Sequence, residues 1–331
     1  MMLSSLSLAD QLHVSLKRVN RDLERIVTYD EDLTSRSVIT RNVIELVRAG
    51  GKRLRPIMVI IGSRFGSDPE NNNVYRLASV CEFIHAASLI HDDILDQADT
   101  RRGQPALHKK TDPKTAVFIG NYMMCRVVEL LTEHKGNLED YVKDLTAVTT
   151  TQLCLGEYQQ MDQRYKFDVP LEQYWEKTRN KTALLMATAL QLGAQAGLAD
   201  QSVSELLYEF GDQLGMAFQV RDDVLDYMQS ADTLGKPAGA DLRNGQVTLP
   251  AMLAMEDPYI REKLLQLGAN STAEQFDEAV GLIRDSGALR LALDQSQHFM
   301  NRAWAITEQL ASYPAHRDLQ TLWRYFEERT Y

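Results

Sequence analysis

Cysteine is scarce. The chain of 331 residues carries only Cys81, Cys125 and Cys154, far apart, with no CxxC and no Cys/His spacing of the kind that holds zinc. A disulfide scaffold and a zinc site are therefore not expected, and the three thiols read as small core residues in a reducing, cytoplasmic setting. Positive charge is short as well: 36 Lys and Arg stand against 46 Asp and Glu, a formal net charge of -10. No basic stripe of the sort that tracks nucleic acid runs along any segment. Alternating strand patterns are nearly absent, and no low-complexity linker separates two cores. The opening MMLSSLSLADQLHVSLKR has no basic region ahead of an apolar one, so it reads as the start of an amphipathic helix and implies no export.

What is present repeats at the helical period. Leu12-Leu16-Val19-Leu23-Ile26, Val38-Val43-Leu46-Val47, Leu206-Leu207-Phe210-Leu214-Phe218 and Leu289-Leu293-His298-Trp304-Ile306 each form an apolar stripe, with most glycines and prolines between such runs. Residues 182–199, TALLMATALQLGAQAGLA, carry no charge over nearly a membrane-spanning length. Their glutamines, threonines, alanines and glycines suit a helix buried on all sides in a bundle. The expectation is one all-α domain over residues 1–331, a helical bundle of roughly a dozen helices around a central cavity.

The stretch HDDILDQADTRRG at 91–103 gathers like charges. On a helix Asp92, Asp96 and Asp99 fall at i, i+4 and i+7, so their carboxylates share a face and repel. Mg²⁺ prefers such oxygens and is usually completed by substrate phosphates, which makes a diphosphate site a candidate. The pattern recurs: LIHDDILD at 89–96 is echoed by QVRDDVLD at 219–226. A solitary DDxxD is most often a solvated acidic face; two copies facing one cavity could hold several ions around one polyphosphate. The basic counterpart is GGKRLRP at 50–56, where two glycines end a helix and Lys52 and Arg55, three apart, point the same way if a helical turn resumes. Further cations stand at Arg101-Arg102, Lys181 and Lys236.

In order and spacing, GGKRLRP, HDDILDQADTRRGQPALH, NKTALL, GMAFQVRDDVLDY and LGKPAGADLRNGQVTLP resemble the trans-prenyl diphosphate synthases over about residues 40–255. The flanking segments match only in being helical. The resemblance implies an all-helical enzyme of the isoprenoid synthase type in which Asp92, Asp96, Asp222 and Asp226 bind Mg²⁺ on an allylic diphosphate, with Asp93 and Asp223 behind them. Arg101, Lys181, Thr182, Gln219 and Lys236 would complete the allylic site, and Lys52, Arg55, His85 and Arg102 would hold isopentenyl diphosphate. For His85 alone, a satisfied core histidine would be the ordinary reading. Chain length in the family depends on residues before the first aspartate. Ser88 and Ala87 are small here, with Ile84 and Cys81 further down, so a growing chain is expected to pass the first turn. The motif wording looks most like the catalytic component of bacterial hexaprenyl or heptaprenyl diphosphate synthases, which make quinone side chains; this implies a homodimer core and, as in some members, a small second subunit. A short-chain geranylgeranyl or farnesyl type is the alternative.

Two positions depart from the family. Gln246 replaces a common lysine, which removes one diphosphate contact, and Asn121 replaces a common aspartate. A terpene cyclase would lack GGKRLRP and RRG, a non-catalytic diphosphate-binding subunit would be expected to lose aspartates, and a histidine-aspartate phosphohydrolase needs more histidines in register than these seven supply.

Overall fold

The computed structural model describes residues 6–132, 150–228 and 237–328. Helices follow the periodic segments: α1 (Leu16–Thr28), α2 (Val38–Arg48), α3 (Leu54–Ser63), α4 (Asn72–Leu95), α5 (Pro113–Thr132), α6 (Thr151–Asp162), α7 (Leu171–Thr178), α8 (Leu184–Ala196), α9 (Gln201–Met228), α10 (Leu249–Ala254), α11 (Pro258–Leu265), α12 (Ala273–Asp285), α13 (Ala288–Gln309) and α14 (His316–Glu327). The fold is all-α. Among the described residues the strands are a two-residue hairpin, Thr100–Arg101 against Gln104–Pro105.

Local chemistry sets the helix ends. Ser37 and Asn71 accept the amides of Thr40 and Asn73 and so start α2 and α4. Thr272 and Gln275 form a reciprocal capping box on α12, and Asp257 caps α11 ahead of Pro258. At the other end of α2, Gly50 takes φ 78° and stops the helix, as the paired glycines suggest.

The uncharged run at 182–199 becomes α8, buried along nearly its whole length between α3 and α9 and touching α4. Small residues allow the contact. A Cβ on Gly193 would lie 1.9 Å from the Val59 carbonyl oxygen, and one on Gly62 would lie 2.2 Å from that of Leu190. The α3 and α8 backbones therefore touch without side chains between them, and α9 packs on α8 and on α13. Among the described residues, no helix is long and apolar enough to cross a membrane. One large apolar core joins α1, α3, α4, α5, α8, α9 and α14, and a smaller one gathers Tyr227, Leu242, Val247 and Phe276.

The cysteines need a correction. Cys81 is buried, but Cys125 and Cys154 are exposed, because they stand on the outward faces of α5 and α6. On α5, Phe118, Asn121, Cys125 and Val128 recur at spacings of 3, 4 and 3 and all face outward, an apolar stripe that includes the Asn121 departure.

The helix contact gives a stability prediction. Gly193→Ala forces a methyl group into the Val59 carbonyl and should cost about 2–3 kcal/mol in chemical unfolding. Gly281→Ala, inside α12 with open space at its Cβ position, should be neutral or stabilising by up to about 1 kcal/mol.

Candidate functional site

Both aspartate motifs sit at the C-terminal ends of long helices, α4 and α9, where the helix dipole already favours cations. A cavity of about 240 Å³ opens there, lined among others by Asp92 of α4 and Asp96 just past its end, by Gln219 and Asp223 from α9, and by Lys181 and Thr182. The last two belong to a π turn, Arg179–Ala183, between α7 and α8. Gly156 of α6 makes room for it, since a Cβ there would meet Asn180 Cβ and the Lys181 nitrogen at 3.1 Å.

The cavity is mixed in charge: the carboxyls of Asp92, Asp96, Asp223 and Asp241 face Arg101, Lys177 and Lys181. Lys181 Nζ lies 2.8 Å from Glu157 and 3.9 Å from Asp92 Oδ2, so one ammonium serves both. Asp92 Oδ1 is buried and has no hydrogen-bond partner. Burial pushes the Asp92 carboxyl up to about 8, with Glu157 and Asp96 adding to the rise and Lys181 opposing it. Asp241, on the same wall, is pushed up to about 7 by burial and by Asp223. Asp223 rises to about 6 for the same first reason, although Tyr174 donates to its Oδ2 at 2.7 Å and Gln219 to its Oδ1 at 2.9 Å. Thr182 Oγ1 donates in turn to Gln219 Oε1 at 2.7 Å.

The remaining aspartates have separate fates. Arg101 Nε donates to both oxygens of Asp93, at 2.9 and 3.2 Å, which keeps that buried carboxylate behind the cavity. Arg164 Nη2 lies 2.9 Å from Asp96. Asp226 accepts the amide of Asp241 at 3.0 Å, and it and Asp222 are half-buried on α9. Asp99 does not join the others: α4 ends at Leu95, Gln97 takes φ 53°, and Asp99 is exposed and paired with Lys109. RRG is accordingly the turn of the small hairpin and does not end a helix. Among the described residues, no three acidic, cysteine or histidine side chains converge as a ready metal cage.

The basic cluster is built by an irregular turn. Gly50, Gly51 and Arg53 have φ of 78°, 139° and 51°, and α3 begins only at Leu54. Lys52 and Arg55 therefore do not share a helical turn. The left-handed Arg53, which costs about 1 kcal/mol for a residue with a Cβ, separates them. Lys52 is exposed with Nζ 5.5 Å from the Tyr325 ring. Arg55 is half-buried, and its enclosed Nε has no hydrogen-bond partner. Arg102 lies against Gly51, where a Cβ would come within 2.8 Å of the guanidinium, and donates to the Gly50 carbonyl. Glu82 is the counterion of the group, but it is bound to Arg53 at 2.7 Å. Burial and the surrounding arginines hold the His85 imidazole well below its ordinary range, hence neutral.

Beside Asp92 a second hollow of about 240 Å³, mostly apolar, opens between α4, α5 and α6, with Ser88, Met124, Leu153 and Tyr158 in its wall. Of the four positions expected to limit chain length, Ser88 reaches this hollow. Ala87, Ile84 and Cys81 are fully buried in the packed core, and burial pushes the Cys81 thiol up to about 12. Lys236 lies outside the described residues. Asp241, Tyr174, Lys177 and Glu157 were not singled out from sequence. Asp241 sits inside the quoted LGKPAGADLRNGQVTLP, and its signal is the burial of a charge that only the fold reveals.

The family model described as Polyprenyl synthetase matches residues 36–283. The chain is 34% identical over 313 residues to heptaprenyl diphosphate synthase component 2 of Bacillus subtilis (strain 168), covering 95% of this chain and 87% of that one. Among solved structures, heptaprenyl diphosphate synthase from Staphylococcus aureus superposes with a TM-score of 0.88 at 30% identity over 99% of this chain and 100% of that one. The polyprenyl synthase of Caulobacter crescentus CB15, complexed with calcium and isoprenyl diphosphate, gives 0.85 at 32% identity over 98% and 97%. The acidic cavity and its basic neighbour thus stand in a known frame: the chain belongs to the polyprenyl synthetase family.

Proposed function

We propose that this protein joins isopentenyl diphosphate to an allylic diphosphate and repeats the step to a medium or long all-trans chain, of hexaprenyl or heptaprenyl type, for a quinone side chain. The observation that carries this is the pairing of opposite charge along α4: the carboxylate cavity at Asp92 and, seven residues or about 10 Å earlier, the arginine cluster around His85. Among the described residues, no carboxylate lies within ion-pair distance of Lys52, Arg55 or Arg102. That cluster suits a diphosphate held without metal.

The acidic cavity suits a divalent cation. Asp92 Oδ1 is an enclosed acceptor with no partner, and the donors are hard carboxylate oxygens, which favours Mg²⁺. Asp92, Asp96, Asp222 and Asp226 would hold it, and it supplies neutralisation of the charge that gathers on the leaving diphosphate. Lys181, Arg101 and Lys236 would contact the same diphosphate. Asp96 must leave Arg164 to take part. As the allylic C–O bond breaks, the isopentenyl double bond, fixed in line by Lys52, Arg55, His85 and Arg102, attacks the allylic carbon, and a proton then passes to the departing diphosphate. Thr182 would face this carbon with lone pairs only, because its hydroxyl proton is committed to Gln219. The hydrocarbon would leave past Ser88 into the hollow lined by Met124 and Leu153. The outward stripe on α5, with Leu155, Tyr158 and Met161 exposed on α6, supports association as a homodimer, with a small second subunit as a further partner.

The product test is direct. Purified protein with isopentenyl diphosphate, farnesyl diphosphate and Mg²⁺, alone and with a candidate small subunit, should give a product of six or seven isoprene units on reverse-phase separation. A product that stops at farnesyl or geranylgeranyl length in both conditions overturns the long-chain reading, and no transfer at all overturns the reaction. Ser88→Phe should shorten the product.

Asp92 adds a pH signature. Its folded value, about 8, lies above the unfolded one, so its contribution favours the folded state below pH 4 and is lost as pH rises toward 8. Asp92→Asn has no such term. Without metal, its melting temperature should therefore climb relative to wild type between pH 4 and 8, while turnover falls at least about 100-fold. A flat difference across that range would remove the buried-acid account.

A further inference from the structure

Arg53 turns inward, whereas Lys52 before it is exposed and Arg55 after it lies near Arg102 and His85. It is 4% exposed and its partner Glu82 is 2% exposed. All three guanidinium nitrogens are used: Nε donates to Asn20 Oδ1 at 3.1 Å, Nη1 to Glu82 Oε1 at 2.7 Å, and Nη2 to the Val47 carbonyl. Those partners lie on α1, α4 and the last turn of α2, so one planar side chain ties three helices to the turn. The same residue holds φ 51° and ψ 38°, the left-handed conformation that directs the chain from Gly51 into α3.

We propose that Arg53 and Glu82 are positioning residues for isopentenyl diphosphate: their buried ion pair locks the turn that presents Lys52 and Arg55, and it engages Glu82 so that Arg55 and Arg102 stay open to the anion. This rests on the assignment of the basic cluster to isopentenyl diphosphate made above. Neither residue touches the substrate. Glu82 also lies on α4 ten residues before Asp92, about 15 Å along the axis, so the pair fixes the basic cluster at a set distance from the acidic cavity.

Charge counting and positioning predict opposite results. Removing an anion from among arginines, as in Glu82→Gln, should tighten binding of a diphosphate if net charge alone mattered. Positioning requires that it loosen. Arg53→Lys keeps the charge but cannot make the three-way fork. It should raise the KM for isopentenyl diphosphate about 10-fold while kcat at saturation and the allylic KM stay within about two-fold. Calorimetric titration of isopentenyl diphosphate into the full chain without allylic substrate should show the same loss. Asn20→Ala, which removes one bond of the fork, should give about a three-fold loss and serves if the other two variants fail to fold. Unchanged or tighter binding in the folded variants, or an equal fall in kcat with no change in KM, overturns the proposal. Arg55→Ala separates the two levels. If it weakens isopentenyl diphosphate binding and Arg53→Lys and Asn20→Ala do not, the positioning role is wrong and the site assignment stands. If it leaves binding unchanged, the site assignment is overturned and the positioning role with it.

Discussion

One constraint governs this molecule: groups of like charge must be gathered in a partly desolvated interior before any ligand arrives to neutralise them. Each gathering is left short of counterions. Lys181 stands against Glu157 and Asp92 with Asp96 nearby, and Glu82 stands among Arg53, Arg55 and Arg102. A fully paired site would be more stable and would have nothing left to offer a diphosphate or a cation. The raised carboxyls of Asp92, Asp223 and Asp241 and the depressed imidazole of His85 share burial as their first cause, with neighbouring charge adding to it at Asp92, Asp241 and His85.

Holding such groups requires a scaffold that does not relax to pair them. The touching backbones of α3 and α8, with Gly62 and Gly193 at the contact, supply a rigid centre because there is no side chain to repack. The basic turn enters α3 directly and the π turn enters α8 directly. The basic turn and the π turn are thus each mounted on one of two helices whose backbones touch, and α4, which packs on both, carries the aspartate and histidine side chains between them.

Much of this was legible in the sequence where one period or one residue type decided the outcome. The helical repeats located the helices, the uncharged run at 182–199 was a buried helix, and the glycines at 50 and 51 did end α2. Apart from the two exposed cysteines, which stand on regular helices, the errors share a cause: a single residue in an irregular conformation. Gln97 in the left-handed region takes Asp99 off the face of Asp92, and Arg53 in the same region takes Lys52 off the face of Arg55. Neither is a glycine, so no residue type announced the break; at Arg53 the cost is met by tertiary bonds that periodicity does not encode. The π turn at Lys181 was hidden for a similar reason, since it depends on Gly156 of a different helix. Asp241 and Tyr174 emerge only when distant segments meet.

The wall of the carboxylate cavity shows how far such tertiary bonds reach. Tyr174 and Gln219 both donate to Asp223, which as a carboxylate can only accept. That fixes the Gln219 amide with its oxygen toward Thr182, which obliges the Thr182 hydroxyl to give its proton to Gln219 and keep lone pairs for the cavity. Above a pH of about 6 the charge on Asp223 thus sets the direction of a hydrogen bond two residues away. A protonated Asp223 could itself donate, and the chain would lose its single sense. In the proposed reaction the second aspartate of QVRDDVLD would therefore act through its charge without metal contact, by orienting the dipole that an allylic cation would meet.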